Sequence, residues 1–316
     1  MKPFAFVFPG QGSQSVGMLD AWGDHPVVRA VLEEASQALH EDLGALIREG
    51  SKEALALTTN TQPVMLVAGV AAYRVWMAEV GVAPQAVAGH SLGEYAALVA
   101  AGAMTLADAV PLVRLRGQAM QDAVPVGKGA MAAILGMDPA RVAALCAEVA
   151  AGYSSESAEV VEAANFNDNA QTVISGSKAA VEQACEVLKT QGAKRALLLP
   201  VSAPFHCALM HPAALVLRER LHQIAIASPQ IPLVNNIDVA VETDPERIRD
   251  ALYRQAFGPV RWVQTVHSLK ARGLEHMVEC GPGKVLSGMV KRIDASLTAF
   301  AVFDPATLAE TQAGLQ

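Results

Sequence analysis

The sequence predicts an α/β fold: a mostly parallel sheet with a nucleophile elbow, into which a smaller ferredoxin-like (βαββαβ) subdomain is inserted. Three observations predict it. Short apolar runs bounded by Pro or Gly, Phe4 to Phe8 and Ala86 to Ala88, read as buried strands and alternate with longer helical patterns. The frame Gly89-His90-Ser91-Leu92-Gly93 stands where such a strand gives way to an alanine-rich helix, Tyr95 to Ala101. That junction is the context a Gly-x-Ser-x-Gly elbow requires. Between Lys128 and Pro200 the order becomes strand, helix, strand, strand, helix, strand, as in ferredoxin-like units. Residues 1–127 and 201–316 then form the large domain and 128–200 the insertion.

Phe4 to Phe8 reads as the central strand, and the polar turn Gly10-Gln11-Gly12-Ser13-Gln14 leaves its end. Open α/β sheets gather their sites at strand ends, so this turn is either a source of backbone N–H donors or an ordinary glycine-rich turn. Val27 to Leu39 and Ser51 to Leu57 have the spacing of surface helices. Pro63 to Val80 is apolar enough to resemble a membrane span, but Arg74 and Glu79 interrupt it. With Pro63 at its first turn it reads as a buried helix of a soluble protein. After the elbow, Leu106 to Gln121 forms a helix carrying Arg114 and Arg116, which fall on different faces, one solvated and one inward.

In the insertion, Met131 to Leu135 is a strand, and Asp138-Pro139 starts a helix to about Ala150. Val160 to Ala163 is a strand, Asn167-Asp168-Asn169 a turn, Thr172 to Ile174 a strand; Ser177 caps a helix ended by Gly192, and Ala196 to Val201 is the last strand. A polar loop with Pro204-Phe205-His206-Cys207 follows. Ala213 to Ile224 is a helix, Asn235 and Asn236 lie in an irregular stretch, and Pro245 to Phe257 and Trp262 to Lys270 are helices. His276 to Glu279 is a late strand, from which Gly281-Pro282-Gly283-Lys284 leads into a helix at Val285. That turn lacks P-loop spacing, which argues against nucleotide binding.

Composition narrows the function classes. A chain of 316 residues, 52% hydrophobic, supports a large core, and a net charge of −7 gives no general attraction to nucleic acid or to an anionic membrane. Cys146, Cys185, Cys207 and Cys280 form no C-x-x-C pair and read as reduced thiols of a cytoplasmic protein. The first residues have too short an apolar run for a signal peptide.

The elbow carries the chemistry. A serine in a sharp turn needs neighbours without side chains, which Gly89 and Gly93 supply, and it presents its hydroxyl at the positive end of the helix. The N–H of Leu92, in the first turn, is free to hold an oxyanion. A loop with two glycines around a serine is the plainer explanation, but the flanking strand and helix favour a nucleophile. His206, after a strand, suits a general base, with His211 a nearby competitor. Cys207 beside His206 offers a Cys–His alternative, disfavoured because sequence neighbours point apart.

Several stretches together resemble the malonyl-CoA:acyl carrier protein transacylase family: Phe8 to Gln14, Gly89 to Glu94, Leu115-Arg116-Gly117, Asn165-Phe166-Asn167, Pro204 to Cys207 and Gly281 to Leu286. They span nearly the whole chain in the family's order. The resemblance implies a hydrolase-like core with a ferredoxin-like subdomain, Ser91 as the acylated nucleophile and His206 as its base. It implies backbone N–H groups of Gln11 and Leu92 in the oxyanion hole, Arg116 on the malonyl carboxylate, and the Gln255 carbonyl orienting His206. His90 and Asn165 would shape the pocket. Phe205 departs from the small residue common in bacterial members; in related malonyl-specific polyketide acyltransferases a phenylalanine stands there, implying a pocket narrowed against branched acyl groups.

The implied reaction is ping-pong transfer of malonyl from malonyl-CoA to the phosphopantetheine thiol of acyl carrier protein in fatty acid biosynthesis, with no metal or redox cofactor. A free-standing polyketide-pathway acyltransferase, a serine hydrolase or thioesterase, and a non-catalytic carrier-binding module are the alternatives. Since carriers are acidic and this chain is too, docking needs local positive charge. Lys189, Lys194 and Arg195 supply a candidate patch or are solvated surface charges. Cognate carrier, strictness for malonyl and oligomeric state are not legible in the sequence.

Overall fold

Alternation along the first strand sets the core. The computed structural model describes residues 1–153 and 159–316. Its strands are β1 (Phe4–Phe8), β2 (Ala86–Gly89), β3 (Gly129–Leu135), β4 (Val161–Asp168), β5 (Gln171–Ser177), β6 (Arg195–Leu198), β7 (Leu233–Val234), β8 (His276–Cys280) and β9 (Thr298–Val302). Phe4 and Phe6 turn to one face of β1 and meet Trp76 of helix Thr58–Glu79, their ring centroids 5.6 and 5.5 Å from it. Ala5 and Val7 turn to the other and pack with Trp262, Val266 and Met277. Large and small apolar residues with a period of two thus put a helical layer on each side of the sheet.

β1 lies at the centre of a five-stranded sheet of order β7-β2-β1-β8-β9, parallel throughout. The turns after β1, β2 and β8 therefore emerge at one edge, the carboxyl ends of the strands. β3 to β6 form a separate antiparallel sheet of order β4-β5-β3-β6. Helices Pro139–Ala151 and Lys178–Thr190 cover one face of it through Ile134, Ile174, Val142 and Leu188. Met131 and Val173, which belong to the larger core, turn the other way. The second sheet is tied to the segment between helices Pro245–Phe257 and Trp262–Ala271 where Phe166 N–H donates to Val260 O (2.9 Å) and Val260 N–H to Ala164 O (2.8 Å).

That seam explains one departure from expectation. β4 does not end at Ala163 before a turn at Asn167; it runs to Asp168, and two register shifts accommodate its polar residues while Val260 supplies a partner. Helix Thr58–Glu79 starts before Pro63, which lies in its second turn. The proline removes one backbone bond, and burial on nearly every side carries the helix past it. Ser177 precedes its helix as expected, but its hydroxyl accepts from Val160 N–H (3.1 Å) instead of capping. β6 stops at Leu198, short of Val201. Helices Leu43–Glu49 and Pro305–Leu315 and strands β7 and β9 add to the expected set. All four cysteines are buried and free. Among the described residues no helix is long and apolar enough to cross a membrane.

Candidate active site

Between β2 and helix Gly93–Ala100 the chain turns on Ser91, whose φ of 52° lies in the left-handed region that disfavours side-chain-bearing residues. Asn236 holds it there. Its Oδ1 accepts from Ser91 N–H (2.7 Å) and its Nδ2 donates to Gly89 O (2.6 Å). The flanking glycines are required by close backbone approach: a Cβ on Gly89 would fall 1.9 Å from the Gly93 carbonyl carbon, and one on Gly93 2.0 Å from Phe8 O. Leu92 N–H follows in the first turn, and Gln11 stands at the end of β1; among the described residues neither backbone N–H has an acceptor.

Ser91 Oγ lies 2.6 Å from His206 Nε2, and His206 Nδ1 lies 2.9 Å from Gln255 O and 3.2 Å from Gly258 O. Two carbonyl acceptors on Nδ1 require its proton, so Nε2 is left to accept from the serine hydroxyl. Both carbonyls belong to the C-terminal end of helix Pro245–Phe257, the negative end of its dipole. They stand where a triad would place a carboxylate. Burial, and after it the Arg116 cation, hold the His206 pKa down at about 3.

Arg116 projects inward from helix Leu106–Asp122 and is 2% exposed. Its Nη1 donates to Gln62 Oε1 (2.9 Å), and its Nη2 to Ser91 Oγ and Gln255 Oε1 (both 3.1 Å). The guanidinium lies 5.4 Å from the centre of the Tyr95 ring. All three hydrogen-bond acceptors are uncharged, and burial lowers its pKa from the ordinary value. Arg114 turns outward to Glu41 and Asn60.

These groups meet at a cavity of about 210 Å³ between the two sheets. Gln11, His90, Ser91, Arg116, Asn165, Phe205 and His206 line it, together with Met131 and Val173 of the second sheet. His90 Nε2 lies 2.9 Å from Asn167 Oδ1, which fixes the ring. Lys189, Lys194 and Arg195 do not line the cavity; Lys189 pairs with Glu186 (2.9 Å), and Arg195 begins edge strand β6. His211 is exposed and bonded to Tyr253 OH, away from the serine. Cys207 is buried with its thiol pushed up to about 11, a state without nucleophilic thiolate.

Sequence reasoning missed Gln62, Glu94 and Asn236. Each left a signal: a polar residue within or beside an apolar run, at Gln62 ahead of Pro63-Val64, at Glu94 ahead of the alanine-rich helix and at Asn236 after Leu233-Val234. A buried polar residue needs partners, and here the partners are the site.

The acyl transferase domain family matches residues 5–301. The chain belongs to the acyl transferase family. Among curated relatives of this acyl transferase, the malonyl CoA-acyl carrier protein transacylase of Escherichia coli strain K12 is 53% identical over 98% of both chains. That of Bacillus subtilis is 44% identical over 98% of this chain and 96% of its own. Among solved structures, an acyl-carrier-protein S-malonyltransferase from Burkholderia pseudomallei has a TM-score of 0.94 at 60% identity, covering 98% of this chain and 99% of its own. A malonyl-transacylase solved with its type II PKS acyl-carrier protein has a TM-score of 0.95 at 48% identity, covering 99% and 100%.

Proposed function

We propose that this acyl transferase moves a malonyl group from malonyl-CoA, through a malonyl ester of Ser91, to the phosphopantetheine thiol of an acyl carrier protein in fatty acid biosynthesis. The observation that carries the proposal is Arg116: a buried cation beside the nucleophile whose acceptors are all uncharged. Glu94 favours the cation through its field but makes no hydrogen bond to it; a buried charge without a direct ion-pair partner is costly, and an acyl group ending in a carboxylate supplies that partner. On a malonyl ester of Ser91 the carboxylate carbon is two bonds from the ester carbonyl, within reach of a guanidinium 3.1 Å from Oγ. The names of the relatives, all malonyl transferases, agree with that chemistry.

His206 Nε2 takes the proton of Ser91 Oγ as Oγ bonds to the thioester carbonyl, and the N–H groups of Leu92 and Gln11 hold the oxyanion. The C–S bond breaks, and coenzyme A leaves with the proton from the imidazolium. The carrier's thiol then attacks the ester, giving its proton to His206, and Ser91 recovers it as the C–O bond breaks. Side chains and backbone carry every step, so we assign no metal or redox cofactor. His90, Asn165 and Phe205 give the pocket its shape. We take the serine turn as a nucleophile elbow on a hydrolase-like core (1–127 and 201–316), residues 128–200 as the inserted ferredoxin-like subdomain, and the cytoplasm as the site of action. We assign no role with nucleic acid or membranes.

Supply of malonyl to a polyketide carrier is a second reading, favoured by the likeness to a transacylase solved with a type II PKS acyl-carrier protein. Intact-protein mass after mixing with malonyl-CoA tests the chemistry: the parent gains one malonyl group and Ser91→Ala gains none. An adduct retained in Ser91→Ala refutes the assignment. Free malonate formed equally with and without carrier identifies a hydrolase, and comparing carriers as acceptors separates the two pathways.

A further inference from the structure

One buried acid at the site has no part in the steps above. Glu94, three residues after the nucleophile, is 2% exposed, and its Oε2 accepts from Asn236 N–H (2.9 Å) and from Gln255 Nε2 (3.0 Å). Each donor continues to the serine. Asn236 Oδ1 holds Ser91 N–H, while Gln255 Nε2 also donates to Ser91 O (3.0 Å). The Gln255 amide is thereby read on both sides. Glu94 and Ser91 O demand its NH₂ group on one side, and Arg116 Nη2 demands its oxygen on the other.

We propose that Glu94 is a positioning residue for acyl selection: it fixes the Gln255 amide with Oε1 toward Arg116, which keeps the guanidinium aimed at the acyl group on Ser91. The inference rests on the assignment of Arg116 to the malonyl carboxylate. Glu94 does not touch the reacting atoms; it acts through Gln255. Without it, the NH₂ group keeps one acceptor, Ser91 O, in place of two, and the amide oxygen is held only by Arg116 itself. The amide is then less firmly fixed, and any turn that brings its NH₂ group toward Arg116 sets donor against donor. Malonyl would lose an aligned partner that acetyl never uses. What the role needs is an acceptor at Oε2, not a charge. Burial pushes the Glu94 carboxyl up to about 7, and its protonated form still accepts there.

The test compares self-acylation kcat/KM for malonyl-CoA and acetyl-CoA in the full chain, with no carrier. Glu94→Leu keeps the volume and removes the acceptor; it lowers the malonyl-to-acetyl ratio about tenfold or more, the scale of losing a charge-assisted hydrogen bond. Glu94→Gln, which keeps an acceptor oxygen, preserves the ratio within about threefold even where both rates fall. Arg116→Ala also lowers the ratio, and adding Glu94→Leu to it lowers the ratio no further, as a shared pathway requires. A folded Glu94→Leu that slows both acyl groups by one factor, or changes neither, makes Glu94 a structural residue and overturns the proposal. If Glu94→Leu does not fold, Glu94→Asp withdraws the carboxylate by one methylene and must lower the same ratio; an unchanged ratio overturns the proposal equally. An unchanged ratio in Arg116→Ala removes the carboxylate assignment and this inference with it, whereas a fall there but not in Glu94→Leu removes the inference alone.

Discussion

His206 faces Ser91 with its Nδ1–H tied to two carbonyls, while burial and the Arg116 cation depress its pKa to about 3. Two consequences follow at the scale of one residue. The base is already neutral at physiological pH, so self-acylation kcat/KM is expected to be flat from about pH 5 to about pH 8, without the inflection near 6.5 of an ordinary imidazole. Because Arg116 opposes a second positive charge, Arg116→Leu should move the acid limb upward, read with acetyl-CoA so that loss of carboxylate binding does not intrude. A parent limb near 6.5, or one unmoved by Arg116→Leu, contradicts this account. The same field bears on substrate choice. On the proposed assignment, a malonyl carboxylate paired with Arg116 would cancel part of it and so strengthen His206 as a base when the right acyl group is bound.

At the scale of elements, the edge strand β6 and the end of helix Lys178–Thr190 carry the candidate docking charges. Arg195 is exposed, and Lys189 shares its charge with Glu186. Leu197 and Leu198 beside them are 48% and 56% exposed, giving the strand an apolar surface next to its positive one. Reversing Lys194 and Arg195 to Glu should raise KM for the carrier and flatten its salt dependence, while self-acylation, which needs no carrier, stays near that of the parent. Equal loss in both half-reactions leaves this strand without a docking role. Strand and helix identities here were legible because periods of two and 3.6 are written into the apolar residues. Their ends were less so. β4 continues through Asn165 and Asn167 only because Val260, distant in sequence, pairs with it, and helix Thr58–Glu79 passes Pro63 because its neighbours are buried. The helix Pro305–Leu315 was not expected from the sequence, although Asp304 and Pro305 at its start are the residues that cap it and open its first turn.

Across the whole molecule, the parallel sheet contributes Gln11 and Ser91, the second sheet contributes Asn165 and Val173, and their junction is where buried ionisable groups collect. Ser91 was legible from its motif. Glu94, Asn236 and Gln62 were not, since their roles depend on partners between 54 and 161 residues away. Those burials have opposite signs in stability. His206, with a folded pKa below its unfolded value, makes the unfolded state bind more protons between about 3 and 6.5, so it favours folding as pH rises through that window. Glu94, with a folded pKa of about 7 against an ordinary 4.5, makes the native state bind more protons between those values. It therefore contributes stability at low pH that is lost as pH rises through about 7. The cause is burial, opposed by Gln255, Asn236 N–H and Arg116, with Asp238 adding to the rise. Glu94→Gln cannot ionise and lacks this loss. Its unfolding free energy relative to the parent should climb from about pH 4.5 to about pH 7 and level off above, with a limiting slope of about 1.4 kcal/mol per pH unit, and its Tm relative to the parent should rise over the same range. A Tm difference that is constant across that range means that Glu94 titrates alike in the folded and unfolded chain. One that falls with pH means that its ionised form is the one the native site holds.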